Sequence, residues 1–251
     1  MRFAAIADVH GNCPALEAVL ADIAVQGIAT SDIVNLGDSL SGPLEAGRTA
    51  DLLVSLDLVT VRGNHDRYLV EHATDAMHSW EADAFAQLTP AHLDWLRTLP
   101  FSCVWRDEVY LCHATPKEDN TYWLETVTPE GHVVQRPLTE VEAWAEGIGQ
   151  SLILCGHTHL ARTVRLSDGR LIVNPGSVGG PAYDDDKPYP HKIEAGHVFA
   201  SYAICEKREG NWLVTFRQVP YDHMAMAELA RRNGRLDWAS GLATGFLGGE
   251  P

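Results

Sequence analysis

Five short polar clusters in this chain each follow directly on an apolar, strand-like run: Asp8-Val9-His10-Gly11-Asn12, Gly37-Asp38, Gly63-Asn64-His65-Asp66, His113, and Gly156-His157-Thr158-His159. Their side chains are carboxylates, imidazoles and amides, with no thiolate among them. Such donors suit borderline to hard divalent ions such as Mn, Fe, Zn or Ni. In D-x-H and H-x-H both outer residues can reach one centre where the backbone turns just past a strand. Gly11, Gly37, Gly63 and Gly156 permit tight turns and close approach to a ligand. The donors suffice for two ions. Two ions roughly 3.5–4 Å apart need a bridging group, and a carboxylate such as Asp38 can supply it.

Charge gives such a pair of ions a purpose. The formal net charge is −15, a field that repels nucleic acid and anionic membranes and argues against both as partners. An anionic substrate must therefore be drawn by something local. Two divalent ions with two carboxylates and a hydroxide remain net positive and would form an anion trap inside an acidic protein. A small phosphorylated molecule is the partner this implies; the oligomeric state is left open.

The elements that must position these residues read as β-turn-α-β-α-β. Phe3 to Ala7 is an apolar run into Asp8. An amphipathic segment follows, with Pro14 near its start, Leu16, Val19, Leu20 and Ile23 on one face, and Gly27 as its stop. A second strand, Ile33 to Leu36, ends at Gly37-Asp38 and precedes a helix to about Leu56. A third, Leu58 to Val61, ends at Arg62-Gly63-Asn64-His65-Asp66. Helical patterns cover about 66–87 and 90–98. From Ser102 onward short strands dominate, and Val109 to Cys112 and Leu152 to Cys155 each run straight into a histidine motif. A short helix at about 139–147, strands at 171–173, 197–205 and 212–219, and a last helix at about 222–233 complete the pattern, with Gly248-Gly249-Glu250-Pro251 as a frayed tail. The 251 residues, 45% of them hydrophobic, fit one globular domain spanning 1–251. An α/β start followed by β-rich segments suggests two packed sheets with helices outside.

The order D-x-H, G-D, G-N-H-D, H, G-H-x-H from residue 8 to 159 resembles the calcineurin-like metallophosphoesterase superfamily, and Asn174-Pro175-Gly176-Ser177 is similar to a turn of its small bacterial phosphoesterase branch. The resemblance implies an α/β fold, a four-layer α-β-β-α sandwich of two mixed sheets. It implies that Asp8, His10, Asp38 and His159 hold one metal ion, that Asp38 bridges, and that Asn64, His113 and His157 hold a second. His65 matches the position that protonates the leaving group. The reaction that follows is hydrolysis of a phosphodiester or phosphomonoester by a metal-bridging hydroxide, with His65 as general acid. Arg62 and Asn12 are candidates to bind a phosphate oxygen, and Asp66 is the adjacent candidate to orient His65, although neighbouring side chains often point apart. One departure matters. Relatives that act on phosphoproteins carry G-D-x-x-D-R-G, whereas this chain reads Gly37-Asp38-Ser39-Leu40-Ser41-Gly42-Pro43. The missing Asp and Arg point away from a protein phosphatase and leave the partner of His65 open.

Two loops are candidates for specificity, 114–137 and 179–196. The first begins beside His113 and carries Lys117, Tyr122 and Trp123, which could anchor a second phosphate or stack on a base, though core packing is the commoner fate of a Trp. The second carries Asp184-Asp185-Asp186 and His191, and a solvated excursion is the plainer reading of each. Five cysteines without a C-x-x-C pair fit a reducing compartment, Cys103, Cys112 and Cys155 reading as small buried hydrophobes, and the N-terminus lacks a signal-type apolar region, so a cytoplasmic location is expected. The rival to an enzyme is a non-catalytic, metal-binding scaffold of the same fold acting in protein interaction. A metallohydrolase of another bond is the third reading.

Overall fold

An unbroken apolar run is what a strand covered on both faces requires, and Phe3-Ala4-Ala5-Ile6 meets that requirement. In a computed structural model, which describes residues 1–248, it lies in β1 (Arg2–Ile6) at the middle of a five-stranded sheet. Asn12 caps the following helix α1 (Cys13–Val25), its side-chain oxygen accepting from the Ala15 N–H at 3.3 Å. Leu16, Val19 and Ile23 of α1 are buried against the sheet, as their spacing predicts. β2 (Ile33–Asn35) and β3 (Val59–Thr60) lie parallel to β1 and to each other, joined through α2 (Ala46–Leu56). The long hairpin β13 (Ala200–Arg208) and β14 (Asn211–Val219) completes the sheet antiparallel on the other side of β1, in the order β14-β13-β1-β2-β3.

The second sheet also has five strands: β4 (Ser102–Trp105), β5 (Val109–Cys112), β8 (Leu152–Leu154), β10 (Leu171–Asn174) and β9 (Arg162–Arg165), in that spatial order. Its three central strands are parallel. Phe3, Leu36, Leu111, Leu154 and Trp212 interdigitate between the sheets. On the outer face of the first sheet lie α1, α2 and α5 (Pro90–Thr98), contributing Leu16, Leu53 and Leu96. On that of the second, α6 (Leu138–Trp144) packs Val141 over Cys155 and Ile172. The result is the four-layer α-β-β-α arrangement. Among the described residues, no helix is long and apolar enough to cross a membrane, and all five cysteines are unpaired.

Several elements depart from the sequence reading. The helical pattern at 66–87 divides into α3 (Asn64–Glu71) and α4 (Ser79–Phe85), because His72 leaves helical geometry at ψ 143° and α4 starts afresh, its first turn capped by the Glu81 carboxylate on the His78 N–H. The helix after Asp38 begins only at Ala46, since Gly42-Pro43 holds the intervening chain in a loop. Both candidate loops contain hairpins: β6 (Glu125–Val127) with β7 (Val133–Gln135), and β11 (Ala182–Asp185) with β12 (His191–Glu194). The last amphipathic helix is α7 (His223–Arg232), and a further helix, α8 (Leu236–Thr244), packs against it. Of the expected frayed tail, Gly249, Glu250 and Pro251 lie outside the described residues.

Candidate metal centre and its cavity

The parallel strands of the two sheets deliver all five polar clusters to one end of the sandwich, where strand ends open into loops. These loops are zipped to one another by backbone hydrogen bonds. The Asp8 N–H donates to the Gly37 carbonyl, that of His10 to Asp38, and that of Gly11 to Ser39, each at 3.0 Å. The Gly156 N–H donates to the His113 carbonyl at 2.6 Å, joining the loops of the second sheet. The cost of this convergence is written in the backbone. Nine non-glycine residues among those described have positive φ, and five of them are Asp8, His10, Asp38, His157 and His159. Left-handed geometry at a non-glycine residue costs of order 1–3 kcal/mol and persists where the surroundings enforce it.

The side chains gather into two sets, Asp8 with His10 and His159, and Asp38 with His113 and His157, all buried but the partly exposed His157, the donor atoms of each set lying within 4.8 Å of one another. Asp38 lies between the sets: its Oδ2 is 3.1 Å from His113 Nε2 and 4.0 Å from His10 Nε2. Asn64 joins the second set, its Oδ1 standing 3.1 Å from His113 Nε2.

Hydrogen bonding decides what these sets can hold. A carbonyl oxygen can only accept, so the Nδ1 atoms of His10, His113 and His159 must donate to Ser41, Leu36 and Gly180 at 2.9, 2.8 and 2.6 Å. In the neutral rings every Nε2 therefore presents a bare lone pair inward. His10 Nε2 and His159 Nε2 face each other at 3.1 Å, and buried His157 Nε2 has no hydrogen-bond partner. Lone pairs converging in a buried space repel unless a cation lies among them, and outward Nδ1–H bonds to carbonyls are the usual support of metal-ligating histidines. The donor sets thus fit divalent ions on their own geometry.

Electrostatics agrees. Burial lowers the His10 and His157 imidazoles to about 4 and about 3, and it drives His159 well below the ordinary value, with His10 adding to the effect. All three are kept neutral and free to ligate. Burial raises the Asp8 carboxyl to about 8. Burial also opposes the charged forms of Asp38 and His113, but their mutual attraction wins, holding Asp38 well below the carboxylate range and His113 up at about 10. Two protons stand where positive charge is needed.

His65 opens helix α3 beside this centre, its N–H donating to Asp38 Oδ1 at 2.9 Å and its ring 5.5 Å from that of His10. Its Nδ1 lies 3.3 Å from Oε1 of Glu81. Burial disfavours its charge, yet Asp38 and Glu81 raise its pKa above the ordinary imidazole value. The sequence reading missed Glu81, which lies sixteen residues away on a separate helix.

Three expected site residues lie elsewhere. Asp66 is fully buried and accepts from the Ser39 and Gly63 N–H groups at 2.9 and 3.2 Å; it braces two donor-bearing loops and leaves His65 to Glu81. Burial raises its carboxyl to about 6. Arg62 points to Glu71, 3.3 Å away. Asn12 is fully buried, capping α1 and donating to Gly179 O and Tyr221 Oη at 3.1 Å. None of the three is among the described residues that line the cavity above the donors.

That cavity has a volume of about 1070 Å³. Both candidate loops wall it. Tyr122 and Tyr183 meet there, Tyr183 Oη donating to Tyr122 Oη at 2.8 Å, and Tyr122 in turn to His191 Nε2 at 2.9 Å. Asp184, Asp185 and Asp186 stand on its rim. Trp123 instead belongs to the core under α6, donating to the Val141 carbonyl, and Lys117 is exposed away from the lining. Trp80 from α4 and Trp238 from α8 complete the mouth, neither anticipated from sequence.

Comparison with known proteins accords with this geometry. A protein of Methanocaldococcus jannaschii, MJ0912, is 27% identical over 251 residues, an alignment that covers 94% of each chain. The crystal structure of a metallophosphoesterase from Sphaerobacter thermophilus superposes with a TM-score of 0.73 at 25% identity, covering 98% of this chain and all of that one. Residues 1–190 match the calcineurin-like phosphoesterase superfamily domain, three quarters of the sequence and every donor named above. The chain belongs to the calcineurin-like phosphoesterase superfamily.

Proposed function

We propose that this protein hydrolyses a small phosphate ester with two divalent metal ions, one held by Asp8, His10, Asp38 and His159 and the other by Asp38, Asn64, His113 and His157. The observation that carries the reading is the convergence of the bare His10, His157 and His159 Nε2 lone pairs with the carboxyl groups of Asp8 and Asp38, beneath a cavity that His10, Asp38, His157 and His159 line. Mn, Fe, Zn and Ni all suit the donors. When bound, such ions neutralise phosphoryl oxygens and acidify a water nucleophile.

The chain's own residues do the rest. Nδ1–H bonds to carbonyls hold His10, His113 and His159 with Nε2 inward, so the donors are set before any ion arrives. His65 lines the cavity beside Asp38 and serves as the proton donor to the departing oxygen. Tyr122 and Tyr183 wall the space where the ester's remaining group lies. A cavity of this size admits a metabolite-sized ligand such as a nucleotide. The unpaired cysteines fit work in a reducing cytoplasm.

The test is hydrolysis of a chromogenic phosphodiester by metal-stripped protein, with and without added Mn, repeated for His65→Ala. Activity should need the metal, and His65→Ala should lose it steeply on an alkyl diester run alongside, whose departing oxygen needs a proton. A wild type inert with Mn, Ni, Co and Fe(II) alike would return the protein to the scaffold reading.

A further inference from the structure

The sequence lacks the acidic residue that relatives of the G-D-x-x-D-R-G type carry after the bridging Asp, yet His65 is not left without a carboxylate. Glu81 reaches it from α4 with a fully buried side chain. One of its oxygens, Oε2, accepts from the His78 N–H at 3.0 Å and caps the helix. Capping accounts for that oxygen alone. Oε1 is turned the other way, 3.3 Å from His65 Nδ1. A carboxylate accepts and the ring nitrogen must donate, so the proton is placed on Nδ1 and the ring is fixed from behind. The His65 backbone N–H, bonded to Asp38 Oδ1 at 2.9 Å, anchors the main chain from which the ring extends. Nε2 is the ring nitrogen that Glu81 does not engage, and His65 lines the cavity.

We infer that Glu81 is the positioning residue for His65, and that the ester cut is one whose leaving oxygen must be protonated as it departs: the ester of an alkyl alcohol or a sugar hydroxyl. The inference rests on the proposed function and narrows its substrate class. A proton donor held in place by a buried carboxylate changes the rate only where the departing oxygen is a poor leaving group. A nitrophenolate leaves without it. The position of α4 agrees, because His78 and Trp80 of the same segment line the cavity that His65 also lines.

The test compares Mn-loaded wild type, Glu81→Gln, His65→Ala and the double variant on p-nitrophenyl and alkyl esters of the same phosphate. Gln can keep the cap by accepting from the His78 N–H while removing the carboxylate from His65. On the alkyl ester, Glu81→Gln should lose about 10–100-fold in kcat, the range for a residue supporting a functional group from behind. His65→Ala should lose about 10²–10⁴-fold there, the range of general acid catalysis. On the nitrophenyl ester both losses should shrink to about threefold or less, and the double variant should match His65→Ala.

Equal losses on both esters for Glu81→Gln, with His65→Ala selective, would reduce Glu81 to a helix cap and overturn the inference alone. An unselective His65→Ala would remove the acid role itself, and the inference with it. A measurement on the wild type stands apart from any folding defect in the variants: ¹⁵N NMR of the Zn-loaded protein should show His65 Nδ1 protonated. A bare Nδ1 would overturn the proposal.

Discussion

Loading metal at pH 7 should expel about two protons from the protein, because ligands must shed their protons to bind a cation. The count follows from the two donor sets. Burial keeps His10, at about 4, and His157, at about 3, neutral at that pH, and His159 is lower than its ordinary value as well. Asp38 is already ionised, held down by His113 and His65 against burial. Burial raises Asp8 to about 8, and His113 stands at about 10 because Asp38 outweighs burial there, so these two carry the protons that must leave. Between pH 7 and 9 the Asp8 carboxyl ionises unaided, and the release should fall toward about one proton while affinity rises about tenfold per pH unit for each proton displaced. Calorimetric titration of Zn or Mn in two buffers of different ionisation enthalpy reads the number directly. Asp8→Asn should lower it by about one at pH 7.

The same groups set the stability of the metal-free protein. His10 and His157 titrate below the ordinary imidazole value of 6.5, so their contribution is present above 6.5 and lost as pH falls through about 4 and about 3. Asp8 titrates above the ordinary carboxyl value of 3.8, so its contribution is present below 3.8 and lost as pH rises through about 8. Metal should therefore raise the melting temperature most on the alkaline side. At a hundredfold excess over Kd one site stabilises by about 2.7 kcal/mol, or about 5–11 °C for a chain of this length. A release near zero at pH 7, or one that grows with pH, would refute the assignment of these donors.

Two substitutions test the frame around the site. At Gly63 a Cβ would run into the Asp38 carboxylate and come within 2.5 Å of its backbone nitrogen. Gly63→Ala should therefore cost about 1–3 kcal/mol and lower bound metal below two ions per chain, read by thermal melts and metal analysis. Arg62→Ala should leave kcat and KM within about threefold and cost no more than about 1 kcal/mol, since its partner Glu71 is itself half-exposed. A large rise in KM would place Arg62 on the substrate after all.

How much of this was legible in the sequence follows from how local each signal is. Asp8, His10, Asp38, Asn64, His113, His157 and His159 each stand just after an apolar run, and a parallel sheet brings such positions to one edge whatever the details between. The same locality explains α1, whose cap Asn12, Pro14 and apolar face all lie within one segment. It misled at Asn12 and Asp66. Both sit inside the motifs and offer polar atoms, but the turns they occupy leave buried N–H groups that must be satisfied, and their side chains are spent there. Arg62 fails for a related reason: Glu71 lies within reach along α3, so its charge is met outside the cavity.

Glu81 shows where local reading ends. Its spacing from His78 announces a capping carboxylate, and a cap explains a Glu at that place without any appeal to chemistry. Only the break at 72–78 lets α4 fold back so that the other oxygen faces His65; in a continuous helix over 66–87 the two residues would be sixteen positions apart along one rod, about 24 Å at 1.5 Å per residue. The candidate cation donors are thus placed strand by strand. The residue proposed to aim His65 is placed by how two helices pack, so its contact depends on tertiary structure and not on any motif around it.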